Sequence, residues 1–237
     1  MITLVTTYYN EPHHLRKMIK DMNQLYFEEL IIVDDGSEDY PAYDIASQYP
    51  GVPLKLYRIK EDKGFNSHGA RNLAMKHVET EWALLTDIDR TSFNNLSIIL
   101  TRYIDSSSGG EYFNWATNKG QDTVNDYCIK VEDFWISGGY DEEFSGRHYG
   151  DRMFIDRLDR YLTKTTIPYP VKVTRDARKY ISAEVDITMY PDDETMVLPH
   201  WDLEEKQKII DTVGFRTDHP DLWQRDNIIQ FDWERLI

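Results

Sequence analysis

Short apolar runs alternate with amphipathic stretches over roughly the first ninety residues. Residues 2–7, ITLVTT, read as a short buried strand, after which Asn10-Glu11-Pro12 opens a helix. Leu15, Met18, Ile19, Met22 and Leu25 recur there at helical spacing. Leu30-Ile31-Ile32-Val33 is a second strand, stopped by Asp34-Asp35-Gly36-Ser37. A helix around 41–48, a strand around 53–59, a helix around 66–78 and a strand over Trp82–Thr86 complete the series. Such alternation predicts an α/β fold: a mostly parallel central sheet with helices on both faces.

The alternation weakens beyond residue 90. The pattern predicts a helix near 93–104, a turn at Ser106–Gly110, aromatic-rich strands near 111–116 and 126–131, and a loop over Ser137–Glu142. Gly150–Thr163 reads as a helix with Phe154, Leu158, Tyr161 and Leu162 facing inward. The strand candidate TIPYPVKV, a polar stretch around 184–195 and a helix at 203–212 follow. With no internal repeat and no low-complexity linker, one domain spanning 1–237 is expected, made of a ligand-binding half (1–90), a second half (91–165) and a small mixed C-terminal extension (166–237).

In open sheets of this kind ligands sit outside the carboxyl ends of the strands. That rule gathers Thr7–Glu11, Asp34–Ser37 and Asp87–Asp89 at one rim. Asp87-Ile88-Asp89 is the most informative of the three. In an extended segment residues i and i+2 project to the same side, so both carboxylates point at one spot. At ~6 Å apart they would repel by about 3 kcal/mol at an effective dielectric of 20. A divalent cation with a preference for hard oxygen ligands, Mn2+ or Mg2+, would relieve that repulsion. Taken alone, the same tripeptide reads rather as a polar turn that closes a strand.

Composition narrows the partners. The formal net charge of −15 disfavours nucleic acid and anionic membranes, so a phosphate ligand must be met by local cations, a metal or backbone amides. The 16 Tyr and 6 Trp suit stacking as well as packing. A single cysteine, Cys128, excludes an internal disulfide and any cysteine-rich zinc site. The start MITLVTTYYNEPHH lacks a secretory pattern, and no run nears the ~18 apolar residues of a membrane span. A cytoplasmic protein without an integral membrane segment is expected, with peripheral membrane docking required if its partner is a lipid.

The ordered segments TTYYNEP, IIVDDGS, DKGFNSHGARNLA, LLTDID, ISGGYDEEF and YGDRMFIDRL resemble the GT-A glycosyltransferases, in particular the large inverting family 2, over about residues 1–160. The resemblance implies a GT-A, Rossmann-like fold, a nucleotide-sugar donor, a divalent metal and transfer of the sugar to an acceptor hydroxyl with inversion. By position, Thr7 and Tyr9 would contact the base, with Tyr9 stacking on it. Asp34 or Asp35 would hydrogen-bond the base or ribose. Gly64 would let the backbone approach, and Arg71 would reach the diphosphate. Asp87 would face the ribose and sugar, Asp89 would hold the metal, and Asp151 would be the catalytic base. Gly138 and Gly139, with Tyr140, would floor the donor sugar and acceptor. His200 is the candidate second metal ligand, with His148 the runner-up. His13 and His14 are expected to be solvated, and His68 is a weaker candidate for the phosphates.

The chain departs from the family pattern in three places. Gly150 stands where a Glu commonly precedes the base, Met153 replaces a further acid, and Asp62-Lys63-Gly64 replaces Asn-x-Gly. The acceptor is thereby left open among a glycan, a lipid-linked sugar and a protein. UDP is the expected nucleotide, because an Asp beside a stacking Tyr suits a uracil edge. Two alternatives stand beside the transferase: a sugar nucleotidyltransferase, disfavoured because TTYYNEP carries neither glycine nor a basic residue for a triphosphate, and a nucleotide-sugar-binding protein without catalysis.

Overall fold

The computed structural model describes residues 1–22, 26–62, 66–91, 95–116, 122–142, 150–167, 174–175 and 228–237. The expected alternation is present as β1 (Ile2–Tyr8), α1 (Pro12–Met22), β2 (Glu29–Asp34), α2 (Ala42–Ala46), β3 (Leu54–Ile59), α3 (Ser67–Lys76) and β4 (Trp82–Asp87). There follow β5 (Arg90–Thr91), α4 (Leu96–Ser106), β6 (Glu111–Ala116), β7 (Asp122–Lys130), α5 (Val131–Ile136), α6 (Gly150–Tyr161), β8 (Thr163–Ile167), β9 (Thr174–Arg175) and β10 (Trp233–Arg235).

Among the described residues, eight strands form one sheet in the order β10-β3-β2-β1-β4-β7-β6-β8. β1 to β4 run parallel to one another, β7 is antiparallel to both β4 and β6, and β8 is parallel to β6. Strand alternation splits the core into two layers. Leu4, Leu30, Ile32, Leu84 and Cys128 face α1, α2 and α4, where Leu15, Ile19, Ile45 and Leu100 cover them. Val5, Ile31, Val33, Leu85, Tyr127 and Ile129 face α3, α5 and α6, represented by Ala70, Leu73, Phe134, Phe154 and Leu158.

Several expectations are adjusted. α5, a six-residue helix, follows β7 directly, and its Phe134 is buried. In α6, Phe154 and Leu158 point inward as expected, but Tyr161 is 43% exposed. Tyr161 is the last residue of the helix, and Leu162 packs on the core in its place. The edge strand β8 starts at Thr163, ahead of TIPYPVKV, and residues 168–173 of that segment lie outside the described residues. β10 was not anticipated: it pairs antiparallel with β3, at the far side of the sheet from β8. Residues 184–195 and 203–212 lie outside the described residues.

Candidate active site

The parallel register brings three strand ends level. Thr7 pairs with Asp87 and Tyr8 with Asp34, so the loops after β1, β2 and β4 share the carboxyl rim. These loops are cross-linked. Asn10 N donates to Ser37 Oγ at 3.0 Å, Tyr40 N donates to Asn10 Oδ1 at 2.9 Å, and Tyr9 Oη donates to Asp62 Oδ2 at 2.7 Å. Gly36 has a positive φ of 76°, and a Cβ there would lie 2.8 Å from the Asp62 Cα. Only glycine allows the loops after β2 and β3 to approach so closely.

The two neighbouring acids after β2 separate by role. Asp34 is buried and accepts Ser37 N at 2.9 Å on Oδ1 and Ala42 N at 2.8 Å on Oδ2, which ties it to the turn and to the start of α2. Asp35 Oδ2 accepts Asn66 N, the residue before α3, at 2.8 Å. Its Oδ1 is buried with no hydrogen-bond partner among the described residues. Burial, with the Asp34 and Asp62 charges adding to it against the Asn66 amide, pushes the Asp35 carboxyl up to about 8. Of the two acids, Asp35 is therefore the one with an oxygen left to bind a ligand.

Arg71, on the buried face of α3, organises the other side. Its Nη2 donates to Asp87 Oδ1 at 2.6 Å and its Nη1 to Asp151 Oδ1. Its guanidinium lies 5.2 Å from the centroid of the Tyr140 ring. Asn125 Nδ2 reaches Asp87 Oδ2 at 3.1 Å. Asp151, in the first turn of α6, is part-buried, with His68 Nε2 3.5 Å from the same Oδ1. Burial alone would raise the Asp151 carboxyl, but Arg71 and then His68 outweigh it and hold it well below the usual carboxylate range.

The extended backbone of β4 ends at Asp87, short of the i, i+2 pair expected of Asp87 and Asp89. The chain turns at Ile88-Asp89 between β4 and β5. Asp87 faces Arg71, whereas Asp89 Oδ1 lies 3.8 Å from Arg90 Nε. Arg90 Nε also lies 3.3 Å from Asp126 Oδ2, and Thr86 Oγ1 donates to Asp126 Oδ1 at 2.7 Å. Asp126 is fully buried. Burial pushes its carboxyl up to about 6 against the pull of Arg90, with Asp87 and Asp89 contributing in the same direction.

A divalent cation fits the chemistry of this corner in part. Asp87, Asp89, Asp126 and Asp151 face Arg71 and Arg90, so the described side chains carry an excess of negative charge on hard oxygen donors. Among the described residues, no group of three or more His, Cys, Asp or Glu is arranged to hold a metal ion. The expected partners of Asp89, His200 and the runner-up His148, lie outside the described residues, as does Gly64.

Gly138 and Gly139 form the buried turn after α5, with φ of 90° and 67°. A Cβ on Gly139 would lie 2.9 Å from Asn72 Oδ1, and its carbonyl accepts Arg157 Nη2, so both glycines are accounted for by the turn and its packing. His13 is exposed as expected, but His14 is buried, with Nδ1 2.9 Å from Glu11 Oε2 one turn earlier. Sequence reasoning missed Asp126, Arg90, Asn125 and Asn72. Their spacing carries no motif, and only the β4–β7 pairing and the packing of α3 bring them to the rim.

This arrangement on a β10-β3-β2-β1-β4-β7-β6-β8 sheet defines the GT-A class of glycosyltransferase folds. The chain belongs to glycosyl transferase family 2, whose sequence profile matches residues 3–152. No curated protein matches the chain by sequence. Solved structures similar to it include the 1–349 fragment of TarS from S. aureus, with a TM-score of 0.61 at 15% identity over 73% of this chain and 59% of that one. A mannosyltransferase from Pyrobaculum calidifontis in complex with GDP-Man and Mn2+ has a TM-score of 0.61 at 16% identity, over 75% and 57%. Glucosyl-3-phosphoglycerate synthase from Mycobacterium tuberculosis, in complex with Mn2+ and UDP-Glc, has a TM-score of 0.54 at 12% identity, over 75% and 72%. The chain thus spans less than two thirds of the first two. Among the described residues no helix is long and apolar enough to cross a membrane.

Proposed function

We propose that this protein is a metal-dependent glycosyltransferase that moves a sugar from a nucleotide-sugar donor, a UDP-sugar first, to an acceptor hydroxyl with inversion. The observation that carries the reading is the position of Arg71, one guanidinium set between Asp87 at the end of β4 and Asp151 at the start of α6. In the proposed donor complex Tyr9 stacks on the base, with Thr7 beside it, and Asp35 binds the base or ribose. Arg71 turns to the diphosphate, Asp87 faces the ribose and sugar, and the Gly138-Gly139 turn lies beneath. Asp151 removes the acceptor proton as the acceptor oxygen attacks the anomeric carbon. The bond to the diphosphate then breaks, and its electron pair leaves with the phosphate. Asp89, together with His200, would hold the Mn2+ or Mg2+, which when bound offsets charge on the leaving diphosphate.

The acceptor is a glycan, a lipid-linked sugar or a protein, and residues 1–237 act as one domain. The test is a panel of UDP-, GDP- and dTDP-sugars with manganese. Slow donor hydrolysis or transfer is expected, to be lost in Asp89→Ala, and in Asp151→Asn with donor binding kept. Turnover by Asp151→Asn removes the base assignment, and unchanged metal and donor binding by Asp89→Ala removes the metal assignment. Pyrophosphate release from a nucleoside triphosphate and a sugar phosphate would favour a nucleotidyltransferase.

A further inference from the structure

His68 has no place in the mechanism above, yet its imidazole is only 1% exposed and neither ring nitrogen has a hydrogen-bond partner among the described residues. Burying an imidazole with no good hydrogen bond to either nitrogen is costly, so the position calls for a role. Nε2 lies 3.5 Å from Asp151 Oδ1, within ion-pair reach but beyond a good hydrogen bond. Oδ1 is already taken by Arg71, which follows His68 by three residues on α3 and shares its face. Both side chains rest on Tyr140: the His68 ring centroid is 5.5 Å from it, and Tyr140 Oη is held by Tyr127 Oη at 2.7 Å. Two donors thus address one oxygen from a rigid platform.

Resting on the proposed role of Asp151 as base, we propose that His68 is a positioning residue that takes over Oδ1 when Arg71 turns to the donor diphosphate. Nε2–H then donates to Oδ1 and holds the carboxylate in place, and Oδ2 accepts the acceptor proton. Without His68 the carboxylate would lose its only remaining side-chain anchor among the described residues just as chemistry begins. Misplacement on the scale of an ångström lowers rates by about a hundredfold.

The experiment compares His68→Ala, His68→Gln and His68→Asn in the chain of residues 1–237. His68→Ala should lower kcat about ten- to a hundredfold with donor KM unchanged within about twofold. Glutamine presents an amide near the position of Nε2 and should restore most of the rate, whereas asparagine reaches only the position of Nδ1 and should not. In 15N imidazole spectra, the signal lost in His68→Gln should report an Nε2–H tautomer and shift when UDP and Mg2+ are added, and again in Asp151→Asn. Parental kcat in His68→Ala, equal defects in the Ala and Gln variants, or a donor KM rising in step with the lost rate would each overturn the inference while leaving Asp151 as base. Turnover by Asp151→Asn would overturn the base reading and the role of His68 together, even if the spectra still showed the pair.

Discussion

Asn72 and Tyr140 are bonded in both directions: the Asn72 amide donates to the Tyr140 carbonyl at 2.9 Å and accepts from the Tyr140 N–H at 2.9 Å. The same amide nitrogen donates to Glu142 Oε1 at 2.8 Å, and Glu142 in turn accepts Ile229 N at 3.0 Å on each oxygen. One buried side chain therefore fastens α3, which carries Arg71 and His68, to the turn beneath the site and to the segment leading into β10.

Asn72→Ala leaves buried backbone groups of Tyr140 unpaired and is expected to cost about 3 kcal/mol. In a chain of this size that is a fall in Tm of about 6–12 °C. Asn72→Asp, nearly isosteric, loses the donor and sets a second acid against Glu142, so calorimetry should find it at least as unstable.

Asp35 makes stability depend on pH. Its folded carboxyl sits near 8, above the unfolded value of about 3.9, because it is buried beside Asp34 and Asp62. The neutral form favours the folded state fully below about pH 4, and that contribution is lost as pH rises through 8. Asp35→Asn cannot ionise. Its Tm relative to the parent should climb from pH 4 to 8, reaching a difference on the order of 5 kcal/mol in unfolding free energy. A constant offset across that range would refute the ionisation.

Arg71→Met strands Asp87 and Asp151 without their shared cation and is expected to destabilise the free protein by about 3 kcal/mol. Arg71→Lys keeps the charge but not the fork that serves two carboxylates at once. Isothermal titration should show UDP binding weakened at least about tenfold in both variants, and parental affinity in either would remove Arg71 from the diphosphate role.

Trp233 joins β10 to the sheet through His77, at 5.0 Å between ring centroids, and His77 stacks on Tyr57 at 4.2 Å. Trp233→Ala should loosen this strand by about 2 kcal/mol. Hydrogen exchange should then quicken at the amides of Leu56 and Lys60, which pair with Ile237 O and Asp232 O, while Leu4 and Val5 in the central strand stay protected.

The order of β1 to β4 was legible because each strand is a short apolar run ended by a polar loop, and the parallel arrangement then put those loops on one rim. Arg71 and Asp151 entered through a resemblance, whereas Asp87 was already marked as half of a carboxylate pair closing a strand. Asp126 was not found at all. Within DTVNDYCIK it looks like one acid among several, and only its hydrogen bond from Thr86 and its closeness to Arg90 show it as part of the rim. His14 misled for the matching reason: next to exposed His13, nothing local distinguishes the ring that turns inward to Glu11. Helix and strand periods report which face is apolar, whereas burial of a polar group depends on partners distant in sequence.

The antiparallel seam between β10 and β3 joins Arg235 to Tyr57 and Trp233 to Ile59. A contact spanning so much of the chain forms late, because its loop-closure entropy must be met before it contributes any stability. On the ribosome, the rim carrying Tyr9, Asp35, Asp87 and Asp151 is therefore synthesised and able to assemble while the edge of β3 is still open. Docking of β10 would then follow assembly of the rim, and nascent chains stalled before Trp233 should expose an unpaired β3 edge to chaperones.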